Sequence, residues 1–287
     1  MLRPRGLDGP LTGRVYGVQM PLPRTTDPAP IGPVDPAPAQ RLRRTNVIAG
    51  AVFVAQVVAI IAISKPVSLP VNVRYLVGPP GAGRYGGPTE LFGLRVDIAV
   101  AIFLALAAID HLAVASPRLH GWYERNVAAG INPARWWEYS ISASIMVVLI
   151  AALAGITDAA ALIAIFGANA AMILFGLAME RVNVGRDTID WRPFIYGCIV
   201  GAVPWIAIAV EIIVAQSQTS AVPGFVYAIF VTLFLLFNTF ALNMWLQYRG
   251  RGRWADPVFC ERVYLMLSIV AKTALAWQVY FGALAGK

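Results

Sequence analysis

Ser268-Ile-Val-Ala-Lys-Thr-Ala-Leu-Ala-Trp-Gln278 sets a lysine in the middle of an apolar run near the C-terminus. At a bilayer centre a lysine costs roughly 2.5–3.5 kcal/mol on insertion scales, so an ionisable residue there marks a functional site by default. Lysine is also scarce in this chain. Only Lys65, Lys272 and Lys287 occur among 23 basic residues, the rest being arginine. Position 272 therefore reads as selected for amine chemistry, provided that the run around it crosses a membrane.

Composition supplies that condition. With 58% hydrophobic and 13% charged residues, the chain is too apolar and too poor in charge for a soluble domain, and it reads as an integral membrane protein. A net charge of +8 could suit nucleic acid. In a membrane protein the same excess marks cytoplasmic loops, and no nucleic-acid partner is expected. Apolar runs of bilayer length fall at 46–64, 96–115, 137–155, 158–179, 194–214, 225–247 and 263–285. In lipid each must satisfy its own backbone, so each is an α-helix. The expected fold is an all-α membrane protein, a seven-helix bundle over 41–287. Residues 1–40, rich in Pro and Arg and without an apolar signal-peptide core, read as a disordered extension. No repeat is visible, which leaves an inverted-repeat transporter without support. Cys198 and Cys260 have no metal-like spacing, and no metal site is expected.

The basic residues orient the bundle. Seventeen fall on the side of the N-terminal extension and the loops after spans two, four and six; five fall on the other side. The positive-inside rule places the N-terminus in the cytoplasm and, with seven spans, the C-terminus outside, in a multi-pass cell-membrane protein. Between spans one and two, Val71-Asn-Val-Arg-Tyr-Leu-Val77 alternates like a strand before a turn at Gly78-Pro-Pro-Gly81, giving a short extracellular β-hairpin.

Glu138 near the start of span three and Lys272 in span seven are a natural pair, because a carboxylate beside a buried cation lowers the cost of both. Counted from the span starts, they differ in depth by about 10 Å at 1.5 Å per residue. Glu138 also has a plainer reading as an interfacial carboxylate behind Trp136 and Trp137. Ser268, four residues before Lys272, shares its helix face. His111 lies at the cytoplasmic end of span two, where it could tune a proton or be structurally satisfied. Ser140, Ser142, Ser144, Asn169, Asn238 and Asn243 read chiefly as interhelical glue. Trp205, Phe234, Phe237 and Trp277 could wall a planar apolar ligand, or serve as plain core.

Seven helices with a lysine in the last resemble the retinal-binding rhodopsins. Arg135-Trp-Trp-Glu-Tyr-Ser-Ile-Ser142, Val203-Pro-Trp-Ile206, Phe230-Val-Thr-Leu-Phe-Leu-Leu-Phe-Asn238, Ala241-Leu-Asn-Met-Trp-Leu-Gln-Tyr248 and Ser268–Gln278 are similar to heliorhodopsins, from about Arg43 to the end. The cytoplasmic N-terminus agrees, since inverted orientation sets that family apart. The resemblance implies covalent all-trans retinal on Lys272 as a Schiff base, Glu138 as counterion, Ser268 and Ser142 bonding nearby, and His111 in a cytoplasmic-side polar cavity. The implied retinal pocket comprises Met172, Asn169, Trp205, Phe234, Phe237, Asn238 and Trp277. One departure stands out: Phe53 occupies a position where many members carry histidine, which leaves His111 alone.

Proton-pumping rhodopsins carry an aspartate four residues before the lysine and two carboxylates on span three. Here position 268 is Ser, and Ser142 and Leu149 lie four and eleven residues past Glu138. A transmembrane carboxylate relay is missing. The expected function is a retinal photoreceptor, sensory or regulatory, that is not itself an enzyme; the alternative is a light-driven transporter or channel. The resemblance further implies a homodimer and admits a cytoplasmic signalling or enzyme partner that no residue identifies.

Overall fold

The computed structural model describes residues 36–219 and 222–285, so the extension expected over 1–40 lies outside the described residues as far as residue 35. Eight α-helices are described: α1 (Pro36–Ile63), α2 (Val96–Ala115), α3 (His120–Ala128), α4 (Pro133–Ala154), α5 (Ala159–Asn183), α6 (Arg192–Thr219), α7 (Gly224–Arg249) and α8 (Pro257–Val279). All but α3 and α8 are long and apolar enough to cross a bilayer, which makes six. α8 has 23 residues, enough at about 1.5 Å each to exceed a hydrocarbon core of about 30 Å. Its apolar run is interrupted by Glu261, Arg262 and Lys272. The seven expected spans correspond to α1, α2 and α4 to α8. The short α3 lies in a stretch whose sequence reads as a loop, and it packs through Tyr123 and Val127.

Three helix starts are fixed by side-chain caps, which satisfy backbone N–H groups that have no partner inside the helix. Asn132 accepts from the Arg135 N–H at 3.1 Å ahead of Pro133, and Asp256 accepts from Val258 at 2.9 Å ahead of Pro257. Asp158 accepts from Ala161 at 3.0 Å. Proline suits the first turn, where its missing N–H costs nothing. As a result α4 and α8 begin four and six residues earlier than expected, and α5 runs on to Asn183. Those added turns bring Arg135, Glu180 and Glu261 inside helices.

The helices pack as neighbours around a ring: α1 on α2, α2 on α4, α4 on α5, α5 on α6, α7 on α8 and α8 back on α1. On α6, Ile199, Val203, Ile206, Val210 and Ile213 recur at helical spacing and are all exposed. An apolar stripe turned outward suits lipid. The largest core cluster includes Phe53, Phe103, Leu149, Trp205 and Leu275. A second joins Trp136, Tyr139, Met244 and Tyr264, and a third ties α3 to the bundle through Leu42, Tyr123 and Leu265.

Between α1 and α2, strands β1 (Ser68–Val73) and β2 (Thr89–Arg95) pair antiparallel. β1 therefore begins three residues before the alternating stretch at 71–77. The register shifts between Val71 and Asn72, because Asn72 turns to the α4–α5 connection, donating its N–H to the Thr157 carbonyl at 2.8 Å. Pairing resumes only as an isolated bridge between Leu76 and Tyr85.

Candidate functional site

Lys272 is 3% exposed, and its Nζ donates to both oxygens of Glu138, at 3.0 and 2.9 Å, and to Ser268 Oγ at 3.2 Å. The Tyr139 ring centroid is 4.7 Å from Nζ and that of Phe53 5.9 Å. Carboxylate, hydroxyl and two aromatic faces thus surround one amine. The depth mismatch expected between Glu138 and Lys272 is absorbed by side-chain direction. Helical side chains lean toward the N-terminus onto the i−4 position, so Nζ sits level with Ser268, about 6 Å back along α8 at 1.5 Å per residue. The plainer reading of Glu138, an interfacial carboxylate, does not describe this contact.

From Lys272 an apolar cavity of about 320 Å³ extends between α4, α5, α6 and α7. Met172, Trp205, Phe234, Phe237 and Asn238 line it, as do Trp136, Tyr139 and Ser268. Trp205 meets Phe234 and Phe237 edge to face at 5.4 and 5.5 Å. Small residues make the room. A Cβ on Gly201 would strike the Met172 side chain, and one on Gly176 would strike the Trp136 ring. Pockets that bury a ligand of this kind run to about 300–1,000 Å³, apolar with a few convergent polar groups. An elongated apolar aldehyde such as retinal fits these residues: the walls are hydrocarbon and aromatic, and the one reactive amine stands at the polar end.

The sequence model of the heliorhodopsin family matches residues 42–284. The chain belongs to the heliorhodopsin family. No curated protein matches it. Heliorhodopsins are seven-helix, retinal-binding rhodopsins, and several apolar helices of membrane length accord with a multi-pass membrane protein.

In this heliorhodopsin the other expected site residues divide. His111 is buried, with Nδ1 2.8 Å from Asn46 Oδ1, and its ring stacks on Phe53 at 5.6 Å and 4°. Ser142 lies one turn beyond Glu138, fully buried, with no hydrogen-bond partner for its hydroxyl among the described residues. Asn169 does not line the cavity; it donates to Ser144 Oγ at 3.1 Å and joins α5 to α4. Asn238 does line it, while donating to the Phe234 carbonyl at 2.8 Å. Trp277 is outside the cavity, in a groove with Phe225 and Phe281. Five residues past Lys272 is about 140° around a helix at 100° per residue, so the two side chains point apart.

A buried ion cluster near the starts of α4 and α8 was not expected from the sequence. Arg135 is 5% exposed; its guanidinium pairs with Glu180 at 2.5 Å and, more closely still, with Glu261. Asn132 donates its backbone N–H to Glu180 and its amide to Glu261, both at 2.8 Å, and Tyr123 donates to Glu261 at 3.1 Å. The guanidinium also lies 3.8 Å from the Tyr264 ring centroid. Spans drawn to end at 179 and begin at 263 leave out both carboxylates. The signal was present as capped proline starts, Asn132-Pro133 and Asp256-Pro257.

Proposed function

We propose that this heliorhodopsin is a photoreceptor carrying all-trans retinal covalently on Lys272, with Glu138 as the counterion. The observation that carries the proposal is the amine held by both Glu138 oxygens at the polar end of an apolar cavity. Bound retinal supplies the light absorption and the isomerisation. The chain's own groups do the rest. Glu138 stabilises a positive charge at the nitrogen, Ser268 accepts a hydrogen bond from it, and Trp205, Phe234, Phe237 and Met172 shape the space beyond.

A sensory or regulatory role is favoured over pumping. Vectorial transport needs titratable groups on both sides of the nitrogen. Here the fully buried charged or ionisable partners His111, Arg135, Glu180 and Glu261 cluster toward the starts of α4 and α8, while Ser268, Ser142 and Leu149 offer no carboxylate. In this reading the protein sits in the cell membrane with its N-terminus inside, as the distribution of basic residues suggests. The β1–β2 hairpin then lies outside. The protein acts as a homodimer without enzymatic activity of its own, signalling to a cytoplasmic partner.

The test is reconstitution of purified apoprotein with all-trans retinal. The expected result is a visible absorption band that is absent from Lys272→Ala and displaced in Glu138→Gln, with no retinal-dependent pH change in illuminated vesicles. Colour surviving in Lys272→Ala removes the attachment site. A sustained light-driven pH change favours the transporter reading instead.

A further inference from the structure

We infer that Glu180 and Glu261, clasped by Arg135, form a proton-binding site holding one exchangeable proton on Glu180 beside a single caged water. Charge accounting is the first ground. Two carboxylates, 1% and 4% exposed, share one guanidinium; with both ionised the group would carry an uncompensated negative charge away from solvent, which is costly. Donor accounting decides between them. Glu261 accepts from Arg135, Tyr123 and the Asn132 amide. Among the described residues Glu180 accepts from Arg135 and the Asn132 backbone N–H; the Trp136 indole N–H near it is too poorly placed to make a hydrogen bond. The better-solvated carboxylate stays ionised, and the proton falls to Glu180.

The second ground is a small cavity of about 10 Å³ lined by Arg135, Glu180, Gln247, Glu261 and Tyr264. Three lining residues present buried polar atoms with no hydrogen-bond partner among the described residues: Arg135 Nε, Tyr264 Oη and Gln247 Oε1. A polar void of roughly 10–15 Å³ is the size that holds one water, and such waters make about three hydrogen bonds. A water here accepts from Arg135 Nε and donates to Gln247 Oε1, with Tyr264 completing its shell and protonated Glu180 beside it. The titratable and charged groups around Glu180 are Tyr123 from α3, Arg135 from α4, Tyr248 from α7, and Cys260, Glu261 and Tyr264 from α8.

A directed hydrogen-bond chain joins this site to the surroundings of Lys272. The Leu42 carbonyl can only accept, so the Asn46 NH₂ faces it at 3.1 Å and also donates to Tyr123 Oη at 3.2 Å. Asn46 Oδ1 is then left facing His111, whose Nδ1 must be the donor, and the Tyr123 proton goes on to Glu261. Every donor points toward the cluster, and the lone pair of His111 is on Nε2. A positive charge gained at His111 would strengthen each bond of the chain in turn.

The proton's presence is independent of the photoreceptor reading; its use as a store during light-driven chemistry rests on that reading. Infrared spectroscopy of the retinal-free protein at pH 7 tests the first. The expected result is a carboxylic-acid C=O band that downshifts in D₂O and disappears in Glu180→Gln; it also fades in Glu261→Gln, where Glu180 alone balances Arg135, but stays in place in Glu261→Asp, which keeps both carboxylates. A wild-type spectrum without such a band, or one whose band is unchanged in Glu180→Gln, overturns the site. Should that variant not fold, Glu180→Asp must move the band, and an unmoved band overturns the site equally. In the retinal-loaded protein, a flash should perturb the same band. A steady band through the photocycle overturns the storage role, whereas failure to take up retinal overturns the photoreceptor reading and leaves the dark-state site standing.

Discussion

Glu138→Gln in the retinal-free protein isolates the ion pair from any chromophore. Lys272 would keep its charge in a site 3% exposed, with Ser268 Oγ at 3.2 Å as its remaining close hydrogen-bond acceptor. Removing one partner of a buried pair typically costs about 3–5 kcal/mol, because the other charge stays uncompensated. At about 2–4 °C per kcal/mol for a chain of this size, the variant should melt about 6–20 °C lower when followed by a thiol-reactive or light-scattering thermal assay in detergent. Glu138→Gln combined with Lys272→Met removes both charges and should melt at or above the parent, since neutral packed replacements of buried pairs are often neutral or stabilising. If the single variant melts within about 2 °C of the parent, or the double variant falls as far as the single, the two groups are not paired in the folded protein.

Three further outcomes follow from the geometry. Gly176→Ala places a methyl group against the Trp136 ring, which lines the cavity; overpacking of this kind costs about 1–3 kcal/mol, and retinal uptake, read as colour formed at limiting retinal, should fall about tenfold. Asp158→Ala removes the cap on Ala161 at the start of α5 and should lower stability by about 1 kcal/mol in a denaturant or thermal comparison. In the α5–α6 connection, donors on Arg192 hold the Asp190 carboxyl at about 2, down from 3.8. Because the folded value is the lower one, the contribution is fully present above about pH 4 and lost as pH falls through about 2. Hydrogen exchange over 184–191 should therefore speed up across that window in the parent and lack that step in Asp190→Asn.

What the sequence discloses here is governed by which properties act locally. Hydrophobic run length places six membrane-length helices, since a bilayer imposes one length and one backbone solution on every span. Lys272 and Glu138 are legible for a similar reason: a charge inside such a run needs a partner, and few carboxylates are available. The same rule hides Arg135, Glu180 and Glu261. A charge near the end of an apolar run is indistinguishable from the membrane boundary until the helix start is known, and only the capped prolines at 133 and 257 carry that information. Trp277 lies outside the cavity for a different reason: nearness in sequence is not nearness in space, and on a helix the fifth residue past Lys272 faces away from it. Gly176 and Gly201 could not be found at all from one chain, since their importance lies in the Trp136 and Met172 side chains brought against them from other residues.

Phe53 shows how one departure reorganises its surroundings. A histidine at that place would offer ring nitrogens to His111 and to the Lys272 site. Phenylalanine offers neither donor nor acceptor; it stacks flat on the His111 ring and turns a face toward Nζ at 5.9 Å. The polar reach of His111 is therefore spent through Nδ1 on Asn46, and from there on Tyr123 and Glu261. With no second imidazole beside it, the hydrogen bonding of His111 runs away from the amine and into the Arg135 cluster. The apolar residue at 53 thereby leaves His111 hydrogen-bonded toward that cluster, through Asn46 and Tyr123 to Glu261.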